Sequence, residues 1–584
     1  MLTRMRIVLF ITFLLLYLRI ELSAQQFDSP WLIGYMGGSN SFGVSRVSFG
    51  SGNFKIQKDT IFEMSFFDNN AVISDGNEKV VAAFNGYRIH DRSGKVMLNG
   101  DSVWYETLPY LYGYSDDDLP QGGMFLPWPG HPDSLLLFYT SQGNILWPVS
   151  VELASLNLFY ALIQPSANNG LGAVVERRVS VIDDTIQYGR LTATRHANGR
   201  DWWILVNERN SNTFYRVLLN PSGIHRLDSQ PIGLPVIDGL GQAVFSPDGQ
   251  KYMIKNSISG TIGNYLDVYD FNRCTGYLDN HRQIHYSGSA VGGVAVSSNS
   301  RYLYVSFRTT LYQYDLTVDD LETSKVLIGE YIPASTGLPQ TFYTMQLAPD
   351  NKIYMCATNG VQILHVIHSP DEAGLNCNFQ QAGIQLPTYN AASVTYSPNF
   401  RLGPIDGSTC DSLNINNQPK AWYGYDQDTT DLLFLKFRDL SYYEPATWSW
   451  DFGDGSTGSN ERHPVHTFDS AGVYQVCLTV SNIYGTDTHC KTLYLGVSAQ
   501  NNPSLQNQIL VSPNPFSQGF RVVLHAQLTN PVFKLYNQLG LLLLDRQMPI
   551  NITEFETVAL PQGIYFWELS TGNEKVAVGK IIKN

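Results

Sequence analysis

Four residues in the last third of the chain carry side chains of the kind that bind metal ions. Asp451, Asp454, His463 and His466 supply carboxylate and imidazole groups, which are common ligands of calcium and zinc. They could therefore form a metal cluster. The same residue types also cap turns and strand ends, and we predict this structural role for all four, with no metal site.

A run of three aspartates, residues 116–118, offers oxygen atoms that could bind calcium. The spacing of Asp, Asn and Gly found in a calcium-binding loop is missing here, and a short acidic run is typical of a solvated loop. We predict no cofactor, and calcium stays open as the alternative.

Catalytic motifs are absent from the sequence. None of the twelve histidines lies in a His-Glu-x-x-His pattern, and there is no Gly-x-Ser-x-Gly elbow or Gly-rich phosphate loop with its lysine. The segment Ser246-Pro247-Asp248-Gly249-Gln250 is superficially similar to the Asp-box of sialidases, but Asp and Gly are adjacent here. We predict a structural turn there, and no catalytic or cofactor-binding residue.

Three aromatic segments could stack against sugar rings, because aromatic rings bury a large area with little loss of entropy. They are Trp104-Tyr105, Phe125–Pro129 and Trp202-Trp203. Packing in the protein core is the alternative role, and we favour it.

The composition predicts several domains that are rich in β-strands. The chain has 584 residues, more than one hydrophobic core supports. Aromatic residues make up 12% and charged residues 15%, with 49 glycines, as expected for many short strands joined by tight turns. The net charge of -13 argues against nucleic acid as a partner.

The N-terminus has the pattern of a secretory signal peptide. Arg4 and Arg6 precede an apolar run over residues 7–18, and Leu22-Ser23-Ala24 follows it. That run is too short to span a bilayer, which predicts cleavage after Ala24 and a leader at 1–24. An uncleaved anchor is the alternative. We predict no transmembrane segment after cleavage.

A strand and turn unit repeats along the first two thirds of the chain. Four copies align without gaps: Ala243–Asp248, Val294–Asn299, Met345–Asp350 and Val394–Asn399. Their last residues are 51, 51 and 49 positions apart. Weaker copies of the turn occur at Asp75-Gly76, Pro132-Asp133 and Asn198-Gly199, which brings the total to seven.

A strand-rich repeat of this length is typical of a β-propeller blade of four antiparallel strands. We predict a β-propeller over residues 26–403 with seven blades, six or eight being possible. A pair of stacked sandwiches is the alternative. The Ser246–Gly249 turn resembles turns of WD40-like and YVTN-type bacterial propellers. This resemblance implies the fold and defines no active residues.

A second domain is predicted over residues 420–498, after a linker at 404–419 that is rich in Pro, Asp and Asn. The segments Trp448–Ser456 and Gly472–Asn482 resemble those of PKD immunoglobulin-like domains. The resemblance implies a β-sandwich that acts as a spacer or a binding module. Tyr474, Val476, Leu478 and Val480 alternate along one strand, so we expect them on the core face.

Six cysteines in an exported chain permit disulfides. Cys477 and Cys490 lie at equal distances from a turn centred between Ile483 and Tyr484, and a hairpin there places them opposite each other. We predict a cross-strand disulfide between them. Sequence alone leaves three possible pairings for the other four cysteines, which are Cys274, Cys356, Cys377 and Cys410.

The last domain is predicted over residues 511–584, after a linker at 499–510 that is rich in Asn and Gln. Its order of landmarks resembles the type A C-terminal sorting domain of Bacteroidetes proteins exported by type IX secretion. The motif residues are Pro513, Asn514, Pro515, Gly540, Gly563 and Tyr565. The resemblance implies a small β-sandwich, contact with the type IX secretion machinery, and release or attachment outside the outer membrane. A generic β-sandwich is the alternative.

These features favour an extracellular or cell-surface binding protein without catalysis. In this hypothesis the propeller binds a glycan or a protein, and the PKD-like domain is a spacer. One alternative is a carbohydrate-active or peptidase-type enzyme with its site in the propeller channel, since one fold supports many functions. The other is a structural component of the surface or of gliding motility.

Overall fold

The protein consists almost entirely of β-strands in the part of the chain that the structure describes. This computed structural model describes residues 27–583, except 40, 51–53, 102, 104–118, 147–150, 237–238, 258–263, 287–290, 335–336, 429–430, 496–508, 513–515, 517–518, 525–530, 538–541, 549–551, 557–559 and 572–573. Within these limits the helical elements are one turn at Ala167–Gly170 and two 3-10 turns at Leu321–Ser324 and Gly374–Cys377. The predicted all-β class is confirmed. The leader at 1–24 and the aspartates at 116–118 lie outside the described residues.

Seven antiparallel sheets follow one another between Trp31 and Asn390 among the described residues. The first three contain β1 (Trp31–Tyr35), β2 (Gly43–Ser48) and β3 (Lys55–Lys58); β4 (Ala71–Ser74), β5 (Val80–Phe84) and β6 (Ile89–Asp91); and β7 (Gly123–Pro127), β8 (Leu135–Leu146), β9 (Val151–Gln164) and β10 (Ala173–Ile186). The fourth contains β11 (Thr192–Arg195), β12 (Trp202–Asn207), β13 (Ser211–Asn220), β14 (Gly223–Arg226) and β15 (Gln230–Val236). The last three contain β16 (Leu240–Phe245), β17 (Lys251–Ser257), β18 (Asn264–Phe271) and β19 (Leu278–Tyr286); β20 (Val294–Val296), β21 (Tyr302–Ser306), β22 (Thr310–Asp315) and β23 (Val326–Glu330); and β24 (Phe342–Leu347), β25 (Ile353–Ala357), β26 (Val361–Ile367) and β27 (Phe379–Asn390).

The repeated turns join the first two strands of a sheet, and their residue types explain why. In the turn between β16 and β17, the Asp248 carboxylate accepts a hydrogen bond from the Gln250 N–H at 3.0 Å. The Gly249 N–H donates to the Ser246 carbonyl at 2.7 Å. Gly249 has a φ of 69°, a conformation that glycine adopts without steric cost. The predicted structural role of this segment is confirmed.

The two ends of the repeat region meet and close a ring. Residues 394–399, the fourth aligned copy of the repeat, lie beside β1, where the Thr395 hydroxyl donates to the Leu32 carbonyl at 3.4 Å. Asn70 Nδ2 donates to the same carbonyl at 2.7 Å and to the Ser393 hydroxyl at 2.9 Å. The hydroxyls of Ser45 and Thr388 are 2.6 Å apart. The first sheet therefore packs against the last, and the seven sheets form a β-propeller. Two of them have three strands, so the number of complete four-stranded blades stays a prediction.

Apolar side chains fill the spaces between neighbouring sheets. Met253 and Leu266 of the fifth sheet, for example, pack with Leu303 and Val305 of the sixth in one buried cluster. Burying large apolar side chains on both faces of each sheet supplies the main stabilisation of the ring.

The PKD-like region forms a sandwich of two three-stranded sheets. Its strands are β28 (Tyr423–Gln427), β29 (Phe434–Asp439), β30 (Thr447–Asp451), β31 (Val465–Thr467), β32 (Gly472–Asn482) and β33 (Gly485–Leu495), with sheet orders β28-β29-β31 and β30-β32-β33. Val476, Leu478 and Val480 are fully buried and Tyr474 packs against the same core, which confirms the predicted alternation. Cys477 and Cys490 pair across the β32–β33 hairpin and form a disulfide.

The C-terminal region forms a second, smaller sandwich. Its strands are β34 (Ile509–Ser512), β35 (Gly519–Leu524), β36 (Pro531–Tyr536), β37 (Leu542–Gln547), β38 (Ile552–Glu556), β39 (Gly563–Thr571) and β40 (Glu574–Lys583). The sheet orders are β34-β35-β38 and β37-β36-β39-β40. A core that includes Phe520, Phe533, Phe555 and Tyr565 lies between the two sheets.

A second disulfide joins the propeller to the segment that follows it. Of the four cysteines that the sequence left open, Cys274 and Cys410 are bonded, whereas Cys356 and Cys377 are buried free thiols. These two thiols belong to different core clusters of the seventh sheet. Burial raises the pKa of the Cys356 thiol to about 12, so this thiol stays protonated and unreactive.

Candidate functional site

The propeller has two different ends. At the turn end, the repeated turns connect the first strand of a sheet to the second, as at Ser246–Gly249 between β16 and β17. At the open end, hairpins connect the second strand to the third. The β1–β2 hairpin belongs to the open end, because Tyr35 at the end of β1 lies against Gly360, in the hairpin between the second and third strands of the seventh sheet.

Amide side chains cross the channel at the centre of the ring. Gln242 of β16 is fully buried; its Nε2 donates to the Met345 carbonyl at 2.6 Å, and its Oε1 accepts from the Val294 N–H at 3.0 Å. Gln121 forms two 2.8 Å hydrogen bonds with the backbone of Ala243. These amides hold inner strands together, because a buried backbone group without a partner costs free energy.

A cavity of about 220 Å³ lies at the turn end of the channel. The first strands of five sheets line the cavity with Met124, Ala193, Val244, Ala295 and Met345, and the closing segment 394–399 adds Tyr396. The PKD-like domain contributes Leu440, Ser441, Tyr442 and Arg462, so it covers this end of the channel. The cavity is smaller than the roughly 300 Å³ at which small-molecule pockets begin.

The cavity offers one carboxylate among its described lining residues, and that carboxylate is paired. Both oxygens of Asp28 accept from Arg401 Nη2 at 2.5 Å. Burial raises the pKa of Asp28, and the positive charge of Arg401 opposes this effect. Acid and base catalysis at a glycosidic bond needs two carboxylates facing each other, and the described lining does not provide them.

Polar contacts and the Cys274–Cys410 disulfide hold the PKD-like domain against the turn end. Lys352 Nζ lies 3.1 Å from a carboxylate oxygen of Asp426 in β28, and Arg438 Nη2 lies 2.9 Å from the other oxygen. Burial disfavours the charge on Asp426, but Arg438 and Lys352 outweigh burial and lower its pKa. Cys410 is part of the segment between the two domains. The domain is therefore in contact with the propeller, and its predicted role as a spacer stays a prediction.

The four candidate metal ligands make hydrogen bonds within the PKD-like domain. His466 Nε2 is 2.7 Å from the Asp454 carboxylate, and the His466 ring stacks on Phe452 with centroids 3.9 Å apart. Burial opposes the charge on Asp454, but bonds from Ser456 and His466 lower its pKa to about 2. Asp451 accepts from the Gly453 N–H, and His463 Nδ1 from the Asp439 N–H. No group of three or more His, Cys, Asp or Glu side chains suited to a metal occurs among the described residues.

The aromatic segments singled out in the sequence belong mainly to the core. Phe125, Trp202 and Trp203 are at most 3% exposed. Trp128 is partly buried and its Nε1 donates to the Asn220 carbonyl at 3.0 Å. Trp104-Tyr105 lies outside the described residues. The favoured role in core packing is confirmed for the described segments.

Four other aromatic residues meet at the open end, and we call them the aromatic cluster: Tyr35, Phe42, Phe67 and Tyr389. Tyr35 contacts Phe42 and Phe67, in each case with ring centroids 5.3 Å apart, and Phe42 contacts Tyr389 at 5.2 Å. All four side chains are partly exposed, and none belongs to a buried core cluster among the described residues. They come from the β1–β2 hairpin, the loop before β4 and the end of β27.

Glycines shape the backbone under the aromatic cluster. A Cβ atom on Gly360 would lie 2.1 Å from Tyr35 Oη, and one on Gly37 would lie 2.4 Å from the Phe42 ring. Burial raises the pKa of Tyr35, and so does its neighbour Tyr389. Two of the four rings are tyrosines, so the cluster combines apolar ring surface with hydroxyl groups.

Sequence reasoning missed the aromatic cluster, because its rings come from segments far apart in the chain. The local signal in the sequence is weak. Glycines lie close to two of the rings, in Tyr35-Met36-Gly37-Gly38 and in Phe42-Gly43. The pairing of β1 with β2 and of Tyr389 with Ser41, whose N–H···O distance is 2.8 Å, brings the rings together.

The predicted sorting residues are only partly described. Gly563 begins β39 with a φ of 154°, and Tyr565 is buried in the core of the C-terminal sandwich. The Tyr565 hydroxyl donates to the Pro561 carbonyl at 2.5 Å. Pro513, Asn514, Pro515 and Gly540 lie outside the described residues, and their roles stay predictions. Among the described residues, no helix is long and apolar enough to span a membrane.

Comparison with protein families identifies the two C-terminal regions. Residues 416–497 match the PKD domain family, and residues 510–584 match the secretion system C-terminal sorting domain family. A sorting domain of this kind also implies an N-terminal signal peptide and an origin in Bacteroidetes.

Similar proteins cover parts of the chain. A funoran endo-beta-hydrolase of Wenyingzhuangia aestuarii is 26% identical over 176 residues, which are 29% of this chain and 22% of that protein. The chain therefore matches about a fifth of the length of that relative. The PKD1 domain of a Vibrio cholerae metalloprotease is 29% identical over 13% of this chain and 94% of its own, with a TM-score of 0.12. A periplasmic gluconolactonase of Pseudomonas aeruginosa is 11% identical over 76% of this chain and 99% of its own, with a TM-score of 0.29.

Proposed function

We propose that this protein is a binding protein without catalysis. Its sorting domain directs it across the outer membrane to the cell surface or the extracellular space. Its ligand, a glycan or a protein, binds at the open end of the propeller. The observation that carries the proposal is the aromatic cluster, since a group of partly exposed rings outside every described core is the kind of surface that binding sites use.

The arrangement of the domains supports this location. The PKD domain covers the turn end of the channel, where Tyr442 and Arg462 line the cavity. A ligand that approaches from outside therefore meets the open end first. The PKD domain supports the propeller from the turn end, and the sorting domain directs the export of both.

The polar groups of the channel support a role without catalysis. Gln121 and Gln242 bond to the backbone of neighbouring strands, and Asp28 is paired with Arg401. A general acid or base needs a side chain that is free to exchange a proton with its substrate. The amides and the ion pair instead hold the ring together.

Ligand screening with the exported protein tests the proposal. The protein is purified from the culture medium or from the cell surface, and it is applied to glycan arrays and to surface proteins of neighbouring cells. We expect retention of a glycan or protein that is recovered intact. Release of any cleaved product from a retained ligand would contradict the proposal.

Hydrolysis is the second candidate function, because the relative with 26% identity is named a hydrolase. The same screen separates the two candidates when reducing ends and new amino termini are measured after prolonged incubation. Replacing Asp28 by Asn then abolishes turnover if the channel cavity is the site of hydrolysis.

A further inference from the structure

We propose that the aromatic cluster at the open end binds sugar rings of a glycan chain, and that Tyr35 and Tyr389 hydrogen-bond to its hydroxyl groups. This inference rests on the proposed binding function and names the class of ligand. It concerns the residues Tyr35, Phe42, Phe67 and Tyr389, which are spread over three separate segments of the chain.

The chemistry of the cluster matches that of a sugar ring. A pyranose presents C–H groups on its faces and hydroxyls around its edge. An aromatic face carries partial negative charge that attracts C–H groups, and a tyrosine adds a hydroxyl at the rim of the ring. The cluster combines the two features, since Phe42 and Phe67 are purely apolar and flank Tyr35.

The cluster is fixed in place before a ligand arrives, which lowers the entropy lost on binding. The Tyr35 side chain lies over Gly360, where a Cβ atom would collide with its hydroxyl. Tyr35 and Phe67 stack with an angle of 26° between their ring planes, and Phe42 packs its edge against Tyr35 at 73°. Ring pairs in such geometries stabilise each other.

The extent of the cluster favours a chain over a single sugar. The contacts run from Phe67 through Tyr35 and Phe42 to Tyr389, and each step joins centroids 5.2 to 5.3 Å apart. Four rings in successive contact present more surface than one six-membered sugar ring covers, so more than one sugar residue is in contact at a time. Nucleic acid also stacks on aromatic rings, but the net charge of -13 opposes it.

The test measures how aromatic variants of the full-length protein bind laminarin, xylan and dextran as neutral chains and pectate as an anionic chain. Affinity electrophoresis finds the chain that binds, and titration calorimetry gives its dissociation constant. We expect Tyr35→Ala and Phe67→Ala each to weaken binding by about tenfold, because each removes one ring from the contact. Tyr35→Phe and Tyr389→Phe keep the rings and lose one hydroxyl each, and a loss of about threefold is expected.

Two further variants serve as controls. Tyr277→Ala removes a tyrosine that is 45% exposed at the turn end, and it should leave binding unchanged. Gly360→Ala keeps every aromatic residue but displaces Tyr35, and it should weaken binding as Tyr35→Ala does. The unfolding midpoint of each cluster variant should fall by no more than that of Tyr277→Ala, because the cluster belongs to no described core.

The outcomes separate this inference from the proposed function. Loss of glycan binding in the cluster variants but not in Tyr277→Ala supports both. Glycan binding that survives Tyr35→Ala, Phe67→Ala and Gly360→Ala overturns the inference and leaves a binding protein with its site elsewhere. Retention of a protein but of none of the four polysaccharides also overturns the inference alone. Cleavage of a bound polysaccharide overturns the proposed function.

Discussion

The Cys274–Cys410 disulfide should contribute more to stability than the Cys477–Cys490 disulfide. Cys274 lies in the turn after β18, and Cys410 follows the segment at 394–399 that closes the ring. The bond therefore encloses the last strands of the ring together with the closing segment. Breaking it releases the end of the ring from the fifth sheet.

The lengths of the two loops give the magnitude. The cysteines are 136 positions apart in the first disulfide and 13 apart in the second. In the chain-entropy model the stabilisation grows with the logarithm of loop length, which gives about 5 kcal/mol for the long loop and about 3 kcal/mol for the short one. The expected difference between them is about 2 kcal/mol.

The assay compares the double variants Cys274→Ser/Cys410→Ser and Cys477→Ser/Cys490→Ser with the unaltered protein. Because the domains can unfold separately, native-state hydrogen exchange is followed in peptides from β1 and β27 for the ring, and from β32 for the PKD domain. The first variant should lower protection in the ring, and the second should lower protection in β32. Two results would refute the reasoning. Protection in the ring could be unchanged in the first variant, or it could fall by less than protection in β32 falls in the second variant.

Three other predictions concern the channel, a buried lysine and the sorting domain. Gln242→Leu leaves the Val294 and Met345 N–H groups and the Met345 carbonyl without their partner, and it should destabilise the ring by about 3 kcal/mol in guanidinium unfolding. Gln346→Leu removes only two 3.3 Å bonds and should cost less; an equal cost would argue against the role of Gln242. Burial lowers the pKa of Lys491 from 10.5 to about 7, so the unfolded chain binds the extra proton between these values and the stability of the PKD domain should rise from pH 7 to pH 10.5. Lys491→Met should abolish that rise in the hydrogen exchange of β33, and persistence of the rise would contradict the assignment. Deletion of residues 511–584 should leave the protein in the periplasm, which cell fractionation measures. Normal display of the truncated protein at the cell surface would contradict the role of the sorting domain.

The repeating parts of the fold were accessible from the sequence. The turn at Ser246–Gly249 and its copies use residue types whose local hydrogen bonds set the chain direction, so the sequence predicts them without tertiary context. The alternation at Val476, Leu478 and Val480 likewise predicts a strand with one buried face, because side chains of a strand point to alternate sides. The equal distances of Cys477 and Cys490 from a turn set their register within a single hairpin.

The candidate site was not accessible in the same way. Gln242 is one of many glutamines, and nothing near it in sequence indicates that it bonds to Val294 and Met345. Asp426 and Lys352 lie in different domains and meet only when the PKD domain packs on the turn end. Contacts of this kind depend on how distant segments are placed, which local residue preferences do not encode.

The sequence by itself determined the class of fold, the order of the domains and the export of the protein across the outer membrane, because repeats, turn residues and sorting motifs are local patterns. The tertiary structure decided how the ring closes through residues 394–399, which two of the other four cysteines pair, and where the aromatic cluster forms. Tyr35, Phe67 and Tyr389 lie in separate segments, and the packing of the first sheet against both the second and the last sheet brings them together. The physical reason is that a binding surface on a propeller consists of loops from different sheets, whose neighbours in space are far apart in the chain.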